Sequence, residues 1–299
     1  MRLTQAAGRR LVAGIPTFWL LMLFLIPFLI VFRISFSEVR LAIPPYTPLL
    51  TWHHGSIWPA LELHGSAYAF LFTDSLYVSS YLYSLKVAAI STLLCLLIGY
   101  PMAYAIARAA PSSRSMLLML IVLPFWTSFL LRVYAWIGLL KNNGVINNVL
   151  MSLGVIDHPL VMLQTDFAVY VGIVYSYLPF MILPLYSNLE KHDPALLEAA
   201  ADLGARPVSA FLRVTLPQSL PGIVAGSLLV FIPAVGEYVI PTLLGRTDQL
   251  MIGRVLSDEF FENRDWPVAS AVAILILLLL VIPIMLFQRM QRRELEAGR

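Results

Sequence analysis

Glu237 is the one acid buried in a long apolar run of a chain that is 59% hydrophobic and only 12% charged. Pro233 and Pro241 stand four residues to either side of it, with Gly236 adjacent. A carboxylate in hydrocarbon is costly enough that it faces a pore, a water-filled cavity or a partner charge. On a continuous helix Pro233, Glu237 and Pro241 share a face, and helices broken by proline and glycine line the binding sites of many transporters. Arg132, flanked by Phe125, Trp126, Tyr134 and Trp136, occupies a second apolar run. Both charges lie about 16 residues, or roughly 24 Å at the helical rise, from the inner end of their spans. Two readings follow: Glu237, Tyr238 and Arg132 line a solute pathway, or Glu237 and Arg132 form an internal ion pair. Aromatic faces, including those of Tyr170, Tyr175 and Tyr177, attract organic cations and suit the first.

Other chemistries find little support. A nucleotide-binding P-loop requires Gly-Lys, whereas Lys86, Lys141 and Lys191 follow Leu85, Leu140 and Glu190. His53, His54 and His64 lack the helical pairing and carboxylate of a zinc motif. No serine–histidine or metal constellation lies in the apolar runs, which argues against an intramembrane enzyme. The single Cys95 excludes an intrachain disulfide.

The elements that must position these residues are membrane spans. About 20 apolar residues cross the roughly 30 Å of hydrocarbon, and the mean hydropathy of +0.81 supports six spans, near 17–36, 84–107, 116–140, 167–187, 222–244 and 267–287. Exposed backbone in lipid has no partners, so all six are expected to be helices. The predicted fold class is therefore an all-α integral membrane protein with six transmembrane helices. Arginines precede the first span, but no small-x-small cleavage site follows before Arg33, so it reads as a retained anchor.

Orientation follows from the basic residues. Arg2, Arg9, Arg10, Arg108, Arg114, Lys191, Arg206, Arg213, Arg289, Arg292, Arg293 and Arg299 make twelve of the twenty Lys and Arg, and all lie in alternate loops or the termini. The positive-inside rule places these segments, and both termini, in the cytoplasm. The opposite loops are net acidic, so the pI near 9.0 reflects topology and gives no reason to expect nucleic acid. The outer loop 33–83 is rich in Trp, Tyr and Pro, as in Pro44-Pro45-Tyr46 with Trp52 and Trp58, and suits the membrane interface with a short surface helix. Lys86 snorkels outward, and Pro101 kinks the second span. Pro179 and Pro184 interrupt the fourth.

Between the fourth and fifth spans lies a polar island. Asp193-Pro194 reads as an N-cap followed by proline in the first turn. Leu196, Leu197, Glu198, Ala199 and Ala200 continue the helix, and Gly204 can end it in the left-handed conformation. Pro207 opens a second short helix expected to close near Leu216-Pro217. The alanines leave a bare face that another protein can approach closely.

The run Glu198-Ala199-Ala200, three residues, Gly204, nine residues, Val214, one residue, Leu216-Pro217 resembles the EAA loop of membrane subunits of binding-protein-dependent ABC importers. Val214 stands where that family more often has isoleucine. The resemblance implies a type I importer permease fold, with Glu198, Ala199, Ala200, Gly204, Leu216 and Pro217 in a coupling helix seated on a cytoplasmic ATPase. A second resemblance runs from Phe231-Ile232-Pro233-Ala234-Val235-Gly236-Glu237-Tyr238-Val239-Ile240-Pro241 through Met251-Ile252-Gly253-Arg254-Val255-Leu256 to Asn263-Arg264-Asp265-Trp266-Pro267-Val268-Ala269-Ser270. It is similar to the putrescine-type permeases of bacterial polyamine importers. It implies a bacterial inner-membrane, non-catalytic subunit working with a second homologous permease, two ATPase subunits that carry ATP and magnesium, and a periplasmic substrate-binding protein. The chain then reads as one transmembrane domain, 1–299, with a core permease at 84–287, a coupling loop at 190–220, and an N-terminal helix and outer loop at 1–83. An ion-coupled secondary carrier using Glu237 is the alternative, and it leaves the 190–220 loop unexplained.

Overall fold

The computed structural model describes residues 12–51 and 60–297. Arg2, Arg9, Arg10, Trp52, His53, His54, Trp58 and Arg299 lie outside the described residues. Twelve helices follow in order: α1 (Val12–Ile34), α2 (Ser66–Thr73), α3 (Ser75–Arg108), α4 (Pro111–Val122), α5 (Phe129–Leu140), α6 (Val145–Ser152), α7 (Asp166–Leu189), α8 (Ala195–Asp202), α9 (Pro207–Val235), α10 (Val239–Leu244), α11 (Ile252–Phe261) and α12 (Trp266–Ala297). A two-residue antiparallel ladder pairs Leu50–Thr51 with Ala60–Leu61.

Among the described residues, four of these helices, α1, α3, α7 and α9, are long and apolar enough to cross a membrane. The most apolar stretch of α1 buries nothing against protein. Such a helix, apolar all round and unburied, gains only by lying in lipid. The six expected spans are broken in two places. The third run breaks after Leu123–Trp126, and the helices on either side are bent by 87°. Pro124 tightens that last turn, and Thr127 and Ser128 are both extended, so the helix cannot propagate through them. The fifth run ends at Val235 and resumes as α10. In α12, Trp266–Ile282 is the apolar portion among the described residues.

Two compact units are formed. One combines the residues up to Val78 with Leu256–Leu278; the other combines Ser79–Val255 with the residues from Leu279 onward. The smaller unit is knitted by aromatic rings and buried polar pairs. Trp266 stacks on Phe260 at 5.0 Å and on Tyr46 at 6.0 Å. Tyr77 donates to Glu259 at 2.7 Å, and Tyr68 to Ser35 at 2.8 Å. The short helix anticipated in the 33–83 loop is α2.

The larger unit is built on α7. Ile173, Met181, Ile182 and Leu185 are fully buried along it, and α9 lies against them because its small residues permit contact. A Cβ at Gly226 would fall 2.8 Å from Met181 Sδ and 3.0 Å from the Met181 carbonyl. The prolines of α7 do not interrupt it, contrary to the sequence reading. Pro179 and Pro184 lie within one continuous 24-residue helix, whose packed face compensates the two missing N–H groups. Pro101 likewise lies inside an unbroken α3.

Candidate functional site

The 190–217 segment forms by local rules. Asp193 Oδ1 accepts the Ala195 N–H at 3.0 Å, the capping bond expected of it. Gly204 has φ +78°, and the Ala205 N–H reaches back to the Ala200 carbonyl at 3.0 Å, closing the helix as a Schellman turn does. Arg206 is extended and Pro207 starts the next helix. That helix does not stop at Leu216-Pro217. It runs on to Val235 through a wide turn at Phe211–Thr215, where the Leu216 N–H bonds the Phe211 carbonyl five residues back. A π turn widens the ladder at the point where the proline ring would crowd the preceding carbonyls, so the helix continues.

Glu198 and Ala199 are exposed, Ala200 is half-buried, and α8 buries no residue at all. Leu203 and Val208 are 88% and 70% exposed on either side of the glycine turn. Leu216 is half-buried and Pro217 exposed. Two apolar side chains held in the open, on a segment fixed by its own caps, form a surface suited to a protein partner. Arg114 donates to Glu190 across 3.2 Å and to the Ala109 carbonyl at 2.9 Å, so the α3–α4 turn and the end of α7 share one end of the bundle.

At Glu237 the structure replaces the continuous helix with a break. Gly236 ends α9, and Tyr238 stands immediately before α10. Pro233 and Pro241 therefore belong to different helices, and no common face with Glu237 exists. Glu237 is 7% exposed. Its Oε1 accepts the N–H groups of Val239 (3.1 Å) and Ile240 (3.3 Å), and its Oε2 accepts the Tyr177 hydroxyl. The carboxylate thus fills the orphan donors at the start of α10 and pins the break to α7. Tyr177 comes from 60 residues away and no spacing joins it to Glu237; the only signal in sequence was its place among the aromatic residues of the fourth run. Tyr238 is 41% exposed and uses its carbonyl to accept the Thr242 hydroxyl.

The internal ion pair is not formed. Arg132 donates Nη1 to the Pro124 carbonyl at 3.1 Å, with its guanidinium 4.8 Å from the Phe125 ring centre and 5.8 Å from that of Phe129. It clamps the α4–α5 bend through a hydrogen bond and cation–π contacts. The structure therefore brings Glu237 and Tyr238 together at one break and leaves Arg132 at another.

Over residues 10–296 the chain matches the model of the family described as binding-protein-dependent transport system inner membrane component. The chain belongs to that family. This permease is 40% identical to the spermidine/putrescine transport system permease protein PotB of Haemophilus influenzae over 289 residues, 97% of this chain and 96% of that one. It is 42% identical to the PotB of Escherichia coli K12 over 219 residues, 73% and 80% of the two chains. A bacterial alginate ABC transporter, crystallised with an alginate pentasaccharide-bound periplasmic protein, aligns over 98% of both chains at TM-score 0.72 and 17% identity. That likeness establishes the fold: the permease has the type I ABC importer architecture. As an inner-membrane subunit of this kind it is a transport component.

Proposed function

We propose that this permease forms half of the translocation pathway of an ATP-driven importer for polyamines, with α8 and the glycine turn seated on a cytoplasmic ATPase. The observation that carries the coupling role is the exposed helix ended by Gly204, with Leu203 and Val208 bare on either side of it. Glu198, Ala199 and Ala200 form the approach face, and Leu216-Pro217 lie within the helix that leads from it into the membrane. Both termini are cytoplasmic by the distribution of Lys and Arg. The partners are a second homologous permease, two ATPase subunits holding ATP and magnesium, and a periplasmic binding protein. Polyamine as the substrate class rests on the identity to the PotB permeases and on the acidic balance of the outer loops.

In the pathway, Tyr238 presents an exposed ring at the α9–α10 break, where a cation can meet its face. Glu237 supports that break; its oxygens already accept three protein donors. Arg132 shapes the α4–α5 bend and does not contact solute. The secondary-carrier reading needs Glu237 open to a proton or cation and leaves α8 without a purpose.

Affinity purification of the permease from membranes is expected to bring down an ATPase and a second permease. Proteoliposomes of that complex, given the binding protein, are expected to accumulate labelled putrescine or spermidine only with internal ATP. Uptake by the permease alone, abolished by an uncoupler, would establish the carrier instead.

A further inference from the structure

The smaller unit holds a cavity of about 220 Å³ whose walls include Ser37, Glu38, Phe70, Asp265, Pro267 and Val268. Its polar groups are underused. Ser37 is 1% exposed, and its hydroxyl has no hydrogen-bond partner among the described residues. Asp265 spends Oδ1 on the Val268 N–H, at 3.0 Å, as the cap of α12, and no donor among the described residues reaches its other oxygen. Glu38, whose side chain is 51% exposed, has His64 Nε2 at 3.8 Å as its one ion-pair partner among the described residues. Burial, together with the neighbouring Glu259 carboxylate, pushes the Asp265 pKa above its ordinary value, which marks a negative charge without adequate compensation.

The sign of the cavity follows from its parts. The N-termini of α2 and α12 border it and contribute about half a positive charge each. Two carboxylates outweigh them by about one unit. Arg33, Arg40 and Arg264, the arginines of the same unit among the described residues, form no ion pair with Glu38 or Asp265. Phe70, Pro267 and Val268 make the remaining wall apolar. Among the described residues no group of three His, Cys, Asp or Glu is placed to hold a metal ion, and two carboxylates with one hydroxyl fall short of the six to eight oxygens calcium takes.

We propose that this cavity binds the primary ammonium end of an alkyl diamine. An ammonium carries three donors and no acceptor, and Ser37 Oγ, the free oxygen of Asp265 and the Glu38 carboxylate supply three acceptors. The methylene chain lies on Pro267 and Val268, and the Phe70 face adds a cation–π contact. Ser37, Glu38, residues 66–70 and Asp265 fall in the outer loops of the orientation proposed above, with Pro267 and Val268 at the start of the last span. This assignment of ligand rests on the polyamine reading.

The test uses the assembled complex in nanodiscs, without binding protein, and 1,4-diaminobutane bearing an aryl azide on one nitrogen. Photolabelling and peptide mapping are expected to place adducts on the peptides containing Phe70 and Pro267, displaced by unlabelled 1,4-diaminobutane and not by 1-butanol. Glu38→Gln combined with Asp265→Asn should lower that labelling at least tenfold; asparagine caps a helix about as well as aspartate, so folding is retained. Should the double variant fail to assemble, Ser37→Ala decides, with a loss of threefold or more expected. Unlabelled peptides at this cavity in the wild type, or unchanged labelling in the variants, would overturn the site. Uptake measured on the same preparations separates the two ideas. Labelling here without polyamine uptake sinks the proposed function and leaves the site standing. Uptake without labelling does the reverse.

Discussion

The bond between Tyr177 and Glu237 holds a helix break against α7, and its worth can be worked out and measured. A hydrogen bond to a charged group contributes about 1.5–3 kcal/mol, and a buried one lies toward the upper part of that range. Tyr177→Phe leaves the Glu237 carboxylate with only the Val239 and Ile240 N–H groups. Glu237→Ala removes the acceptor and also uncaps α10, which adds about 0.5–2 kcal/mol, together with a cavity. In the double variant the cavity and cap losses recur unchanged, so they cancel in the cycle. What remains is the pair energy, expected to be about 1.5–3 kcal/mol. The assay is unfolding of the purified permease in detergent micelles, titrated with denaturant and followed by circular dichroism, for the wild type, both single variants and the double. A coupling energy below about 0.5 kcal/mol would refute the reasoning, because Glu237 would then be free of Tyr177 and open to solute.

Two further perturbations test other parts of the molecule. Gly204→Val forces a β-branched residue to φ +78° at a cost of about 1–2 kcal/mol. It should lower ATPase co-purification and ATP-driven uptake several-fold while the amount of inserted protein stays normal; unchanged co-purification would remove the turn from the coupling surface. Gly226→Leu drives a side chain into Met181 and is expected to destabilise the bundle by about 1–3 kcal/mol, whereas Gly236→Ala, with nothing within 4 Å of the new Cβ, should be close to neutral in the same unfolding assay.

The polar island could be read residue by residue because its bonds span at most five positions: the Asp193 cap, the left-handed Gly204 and the Pro207 start are all local choices. Proline was a poorer guide inside the apolar runs. Pro179, Pro184 and Pro217 suggested interruptions, yet the chain passes through each as helix, because packing along α7 and the wide turn at Phe211–Thr215 absorb the lost bonds. Apolarity reports that a run belongs in lipid and says nothing about its direction, so the 87° bend after Trp126 was invisible. The ion-pair idea failed for a related reason. Depth arithmetic placed Arg132 and Glu237 at one height without saying which way either faced.

The corrected course of α9 changes what the coupling segment can do. A helix closed at Pro217 would leave a flexible joint between the proposed ATPase-facing surface and the span that follows. Instead, one helix of 29 residues runs from Pro207 to Val235, about 43 Å at 1.5 Å per residue. Its first residue follows the Gly204 turn, and its last precedes the Glu237 break. Displacement of α8 therefore has a continuous element along which to travel, and it arrives where Tyr177 tethers Glu237 to α7. The tether gives that motion something to work against: if α9 moves and α7 does not, the strain falls on Gly236, Glu237 and Tyr238. A Cβ at Gly236 would meet nothing within 4 Å, and Tyr238 has an exposed ring. On the proposed function, coupling surface and pathway lie at the two ends of one helix, a continuity that calls for a direct test of coupling. Loosening the wide turn with Pro217→Gly should accordingly uncouple ATP hydrolysis from uptake while ATPase binding persists. Uptake that kept pace with hydrolysis in that variant would show that α9 does not carry the motion.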